Sequence, residues 1–179
     1  MAKYTEPDEL QVKESISWFK KNIGILDDSG KVKQKFVRRP KSGILLSFTY
    51  KPKFASKLDY YDTFPLVLVI DKKDKGFLGL NIHYLPPRYR SLLLYRLRSI
   101  QAKSSYDEYD KIKISYNVVK RYASLKSAIP CIRHYKLKNV KSKVLQVPWS
   151  DWYLAASLPT ARFKNAPKSR IWSESINKI

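Results

Sequence analysis

Apolar side chains in residues 8–23 recur at helical spacing, with Val12, Ile16, Phe19 and Ile23 on one stripe, Asp8 and Glu9 near its start and Lys20 and Lys21 near its end. That charge order complements a helix dipole, and the segment is predicted to be an amphipathic helix. Asp27-Asp28-Ser29-Gly30 is a turn cluster, and the basic, polar stretch from Lys31 to Lys41, with Pro40 near its end, reads as a connector. From Gly43 the pattern changes. Ile44-Leu45-Leu46-Ser47-Phe48-Thr49-Tyr50 is rich in β-branched and aromatic types and is stopped by Pro52, which predicts a strand over 43–50. Pro65-Leu66-Val67-Leu68-Val69-Ile70 predicts a strand buried on both faces, with Leu68 central to it. A charged turn over 71–75 leads back into a strand over 76–84, whose Gly76 and Gly79 mark a bulge or a close backbone approach. The two strands make a hairpin. Pro86-Pro87 then presets a helix start, with Leu93, Leu94, Leu97 and Ile100 on its buried side and Arg88, Arg90, Arg96 and Arg98 elsewhere.

Further on, Val118, Val119, Tyr122 and Leu125 fit a short helix within 111–128 that Pro130 would stop. A strand is expected over 143–147, a helix after the N-cap Ser150, and a docked terminal helix carrying Ile171, Trp172 and Ile176. Short strands with tight connections favour antiparallel neighbours. The expected fold is therefore α+β, a small SH3-like antiparallel β-barrel with flanking helices, with an open antiparallel sheet as the alternative. Residues 1–40 are expected to be an N-terminal helix and basic connector, and residues 41–179 the core with its helices.

The 179 residues carry 36 Lys and Arg against 15 Asp and Glu, a formal net charge of +21. A chain so positive repels itself unless it meets a polyanion, and the composition points to nucleic acid. The hydrophobic content of 44% is enough for a packed core and excludes wholesale disorder. Charge is concentrated toward the C-terminus, where residues 111–179 hold +13 and no acidic side chain occurs between Lys111 and Ser150. Lys120, Arg121, Lys126, Arg133, His134, Lys136, Lys138, Lys141 and Lys143, with Arg88 and Arg90 from the earlier helix, are the expected phosphate-binding residues. A solvated lysine face is the competing explanation of the same run. Tyrosines interleave with these cations, as in Arg88-Tyr89-Arg90 and Arg133-His134-Tyr135-Lys136, a pattern suited to base stacking beside phosphate pairing. Lys136, Lys138, Lys141 and Lys143 approach a strand, where period-two spacing would project several of them from one face.

The remaining chemistry is sparse. No glycine-rich phosphate loop occurs, and no serine nucleophile stands near a histidine in sequence. Cys131 is the single cysteine, and it with the distant His83 and His134 lacks zinc-ligand spacing, so neither a metal nor a cofactor is expected. His83, in an apolar strand, reads as a hydrogen-bonded structural residue. Asp59, Asp62, Asp71 and Asp74 could be taken for a metal-nuclease cluster, but the lysines around Asp71 and Asp74 make a solvated loop the better reading. No apolar run approaches the roughly 20 residues a bilayer span needs, and no membrane partner is expected.

The run from Tyr60 to Leu68, followed by Gly76-Phe77-Leu78-Gly79-Leu80-Asn81-Ile82-His83-Tyr84-Leu85-Pro86-Pro87-Arg88-Tyr89-Arg90, resembles the DNA end protector group of T-even-like tailed phages. Asp151-Trp152, Leu158-Pro159, Phe163 and Trp172 extend the resemblance over most of residues 36–175. It implies a virion protein, present in the host cytoplasm during assembly and after injection, that caps the ends of packaged linear duplex DNA against host exonuclease. It carries no assigned residue roles. The strand order is also similar to the barrel of MazF-like RNA-cleaving toxins, but their Arg and Ser or Thr at strand ends have no counterpart here. The expected function is thus non-enzymatic duplex DNA binding. The alternatives are a structural adaptor of the phage head, neck or tail that meets other phage structural proteins, and, as a minor one, a nuclease.

Overall fold

A computed structural model describes residues 35–124, 126–148 and 151–176; the expected first helix at 8–23 and the expected N-cap Ser150 lie outside them. Six strands, β1 (Lys35–Phe36), β2 (Leu45–Ser47), β4 (Leu66–Lys73), β5 (Gly76–Asn81), β6 (Ile132–Lys136) and β7 (Leu145–Val147), form an antiparallel sheet in the order β1-β7-β2-β4-β5-β6. β3 (Tyr61–Asp62) pairs with β8 (Phe163–Lys164) as a separate two-stranded ribbon.

Alternation along the central strands divides their side chains between two cores. Leu45, Leu66, Leu68, Ile70 and Leu80 face one cluster, which the helices cover, while Leu46, Val67, Val69 and Phe77 face a second made with Phe48, Tyr50 and Tyr135. The second face needs no helix because the bent sheet packs its own aromatic rings there, with Phe48 and Phe77 each edge-on or stacked against neighbours 5.4–6.1 Å away. The hairpin of β4 and β5 forms as expected. Its register jumps between Val69 and Asp71, leaving Ile70 as the extra residue of a bulge opposite Gly79. Gly79 is crowded as well, since a Cβ there would stand 2.1 Å from Val67 Cγ1.

Helix α1 (Pro87–Gln101) starts on its prolines and buries Leu93, Leu97 and Ile100. Helix α2 (Glu108–Ala123) is longer than the expected short helix because Asp107 caps it, accepting from the Asp110 N–H at 2.7 Å. Short helices α3 (Trp152–Ser157) and α4 (Lys168–Ile176) complete the layer. No described helix is long and apolar enough to cross a membrane.

Three expectations change. The strand over 76–84 ends at Asn81, whose side chain accepts the His83 N–H at 3.0 Å and turns residues Ile82–Tyr84 into a 3-10 helix. The basic segment 132–136 is a strand, β6, with no counterpart among the expected elements. Lys136 to Lys143 do not run as an extended period-two segment, because Leu137–Asn139 is a 3-10 turn.

The fold class is α+β with an antiparallel sheet. Among the described residues no pairing of named strands closes it into a barrel, and β1 and β6 are its edges. Beyond β6 the chain nevertheless returns to the end of β2: Tyr50 and Val140 form an isolated antiparallel bridge, the Lys51 N–H donates to Asn139 O at 3.0 Å and the Lys141 N–H to Thr49 O at 2.8 Å.

Candidate nucleic-acid interface

Asp71 and Asp74 are exposed in their charged turn, as expected, with Asp71 paired to Lys73 at 2.8 Å, and Asp59 is exposed as well, whereas Asp62 is buried. Both oxygens of the Asp62 carboxylate are fully engaged. Oδ1 accepts the Phe64 N–H at 2.9 Å and the Arg162 N–H at 3.1 Å, and Oδ2 accepts Asn81 Nδ2 at 3.2 Å and lies 2.6 Å from His83 Nδ1. Burial pushes this carboxyl upward, but the His83 ring, the Phe64 N–H and Asn81 together outweigh it and hold it below the usual carboxylate range. His83 Nε2 in turn meets Thr160 Oγ1 at 3.0 Å. The order Asp-His-Thr is that of an acid-base relay, a grouping that no local pairing in the sequence foreshadows. Here it joins three segments of chain, 62–64, 81–83 and 160–162, and the carboxylate has no lone pair left for a metal or a reacting group. Among the described residues no three His, Cys, Asp or Glu side chains are placed to hold a metal ion.

Beside this buried cluster opens a cavity of about 450 Å³ between the loop 52–62 and strand β6 with the 3-10 turn that follows it. Tyr50, Tyr60, Tyr61, Tyr84 and Tyr135 contribute to its lining, and Lys53, Arg133, His134, Lys136 and Lys138 supply the cations. Phe54 lines it too and is 56% exposed, with Lys53 Nζ 5.0 Å from its ring centre. Arg133 lies over two rings, 4.8 Å from Tyr84 and 5.7 Å from Tyr60, so the planar guanidinium is held in place by stacking. Burial and a hydrogen bond to Glu174 push the Tyr60 hydroxyl up to about 12, and burial raises that of Tyr84 further. These phenols are neutral hydrogen-bonding groups at any physiological pH.

Of the expected phosphate-binding residues, the fold brings Arg133, His134, Lys136 and Lys138 together around this cavity. Lys141 and Lys143 follow on the exposed loop into β7, where Lys143 Nζ lies 5.2 Å from the Phe36 ring. Lys120 and Arg121 stand apart from the cavity lining, exposed in the last turn of α2. Arg90 is occupied within the fold, donating to the His83 and Leu85 carbonyls at 3.0 and 3.4 Å and lying 5.8 Å from the Trp172 ring. Arg88 lies in the first turn of α1 and Lys126 in a 3-10 helix, Lys126–Cys131. Sequence reasoning missed Lys53, Phe54, Tyr60, Tyr61 and Tyr84. The signal available for them was the same interleaving of aromatic and basic residues, spread over segments that only folding makes adjacent.

Burial pushes the Cys131 thiol up to about 12, Ser175 and the nearby arginines lowering it only in part, which keeps it protonated at neutral pH. The cavity lining is made mainly of cations and aromatic rings. Comparison with known proteins agrees with it. No curated protein and no solved structure matches, but the family model described as the Phage T4 terminal DNA protecting protein matches residues 3–176. That span is nearly the whole chain, and the protein belongs to the family of the Phage T4 terminal DNA protecting protein.

Proposed function

We propose that this protein binds the ends of linear duplex DNA without catalysing any reaction and shields them from exonuclease, in the virion and in the host cytoplasm. The observation that carries this reading is the gathering of Arg133, His134, Lys136 and Lys138 around one tyrosine-rich cavity in a chain of net charge +21. Cations at such spacing neutralise phosphates, and aromatic rings beside them offer a surface for bases. Lys120, Arg121, Lys126, Lys141, Lys143 and Arg88 extend the binding surface along the backbone, where each acts as a charge without reading sequence. Arg90 contributes by holding the His83 segment. The saturated Asp62 carboxylate favours a binding protein over a nuclease. The Tyr50 and Val140 bridge favours a reading of the sheet as a partly open SH3-like barrel that presents β6 at its rim.

A titration of linear and nicked circular DNA of equal length at two salt concentrations, paired with exonuclease digestion, tests this. Linear DNA should bind more tightly, binding should weaken steeply with salt, and digestion should slow. Affinity independent of salt, or digestion at the rate of naked DNA, would overturn the reading and favour a structural adaptor that meets other phage structural proteins.

A further inference from the structure

We infer that the cavity between the loop 52–62 and β6 receives one unpaired terminal nucleotide, so that the protein distinguishes an end from internal duplex by drawing out the last base. The inference rests on the end-binding reading above and deepens it.

Size argues first. A space of about 450 Å³ is in the range that takes a single small ligand, and a base with its sugar fits that description where a base pair on its duplex does not. The lining then divides by chemistry. Phe54 offers at the cavity a ring that the fold leaves 56% exposed and that a stacked base would cover. Lys136, Lys138 and His134 are exposed along the opposite wall, where a phosphodiester attached to that base would lie. Arg133 is already fixed over Tyr84 and Tyr60, so it loses little freedom in receiving a further charge or a base edge.

Energetics supply the selectivity. Drawing out a base costs its pairing and its stacking, and the cost is least where the duplex is already weakest. A terminal base gives up one stacking neighbour and leaves a single strand to bend, whereas an internal base gives up two and is tethered on both sides. The same cavity therefore closes on an end and leaves continuous duplex alone, with no need to read sequence.

The test uses the full-length protein and duplexes carrying 2-aminopurine at the terminal or at a central position. Binding should change the fluorescence of the terminal label and leave the central one unaltered. A duplex whose last base pair is covalently cross-linked should bind more weakly than its free counterpart. Phe54→Ala should reduce the ratio of linear to nicked circular affinity by about fivefold or more, the loss expected for one base stacked on an aromatic ring. Reading that ratio cancels any general weakening of phosphate pairing, and because Phe54 is exposed the variant keeps its core. If wild-type protein binds and protects ends while the terminal label stays unaltered, or if Phe54→Ala keeps the ratio, the inference is wrong and end protection stands. If wild-type protein neither prefers nor protects ends, the end-binding reading fails and this inference with it.

Discussion

Asp62 Oδ2 lies 2.6 Å from Nδ1 of His83, with both side chains buried, and this short hydrogen bond fastens the ribbon of β3 and β8 to the segment leaving β5. Every other position around the carboxylate is filled by a backbone or amide N–H. The pair therefore ties the ribbon to the end of β5, beside the Tyr84 ring that meets Phe163 of β8 at 5.1 Å.

Removing that tie should be costly. Asp62→Ala leaves His83, Asn81 and two backbone N–H groups without their acceptor, and should destabilise the protein by about 3–5 kcal/mol in denaturant titration at neutral pH. Because the folded state holds this carboxyl below its ordinary value near pH 4, its contribution is fully present above that pH. It fades as pH falls through the lower folded value, so the difference between wild type and Asp62→Ala should narrow in acid. An unchanged difference at pH 7 and pH 2 would assign the stabilisation elsewhere.

Leu68 is 1% exposed in β4, an interior strand between β2 and β5. Leu68→Ala should cost about 2–5 kcal/mol through reduced burial and a residual cavity. Thermal unfolding measures it.

Two residues with positive φ should respond in opposite directions. Gly43 has φ of +87°, and a Cβ there would stand 2.8 Å from Ile112 Cγ2, so Gly43→Ala should destabilise by about 1–3 kcal/mol. Lys75, at φ 57° in the exposed turn of the hairpin, strains its backbone without touching the core. Lys75→Gly should stabilise by about 0.5 kcal/mol after the greater freedom of unfolded glycine is subtracted. Urea midpoints of the two variants check both signs.

Lys136, Lys138, Lys141 and Lys143 are all exposed, so exchanging all four for Gln should leave the unfolding temperature nearly unchanged. DNA affinity should fall strongly, and the slope of log affinity against log salt should shrink by about 0.9 for each phosphate that is no longer neutralised. Single exchanges should have small effects, since no one charge is indispensable. Binding titrations at two salt concentrations decide it, and an unchanged quadruple variant would move the DNA-binding surface away from this loop.

Cys131 is fully buried, with its thiol pushed up to about 12. Iodoacetamide at pH 8 should label it only as fast as the protein opens, and immediately in denaturant. Mass spectrometry of native and unfolded samples reads the difference.

Elements whose cause is local were legible in the order of residues alone. The run of apolar residues at 66–70, the glycines of β5 and the prolines ahead of α1 each act on their own few residues, through alternation, backbone freedom and fixed φ, and the β4–β5 hairpin and α1 follow from them. The charge was legible in the same way. Other features exist only through folding. β6 is half apolar at most and becomes a strand because the free edge of β5 offers it hydrogen bonds, from Gly76 opposite Lys136 to Leu80 opposite Ile132. Asp62 looked like a loop residue and becomes a buried anchor because His83, 21 residues on, and the Arg162 N–H, 100 residues on, arrive at its two oxygens. The cavity likewise takes Phe54 and Tyr60 from one segment and Arg133 to Lys138 from another. Periodicity describes which face a residue occupies, whereas pairings across such separations exist only once the chain has closed those loops.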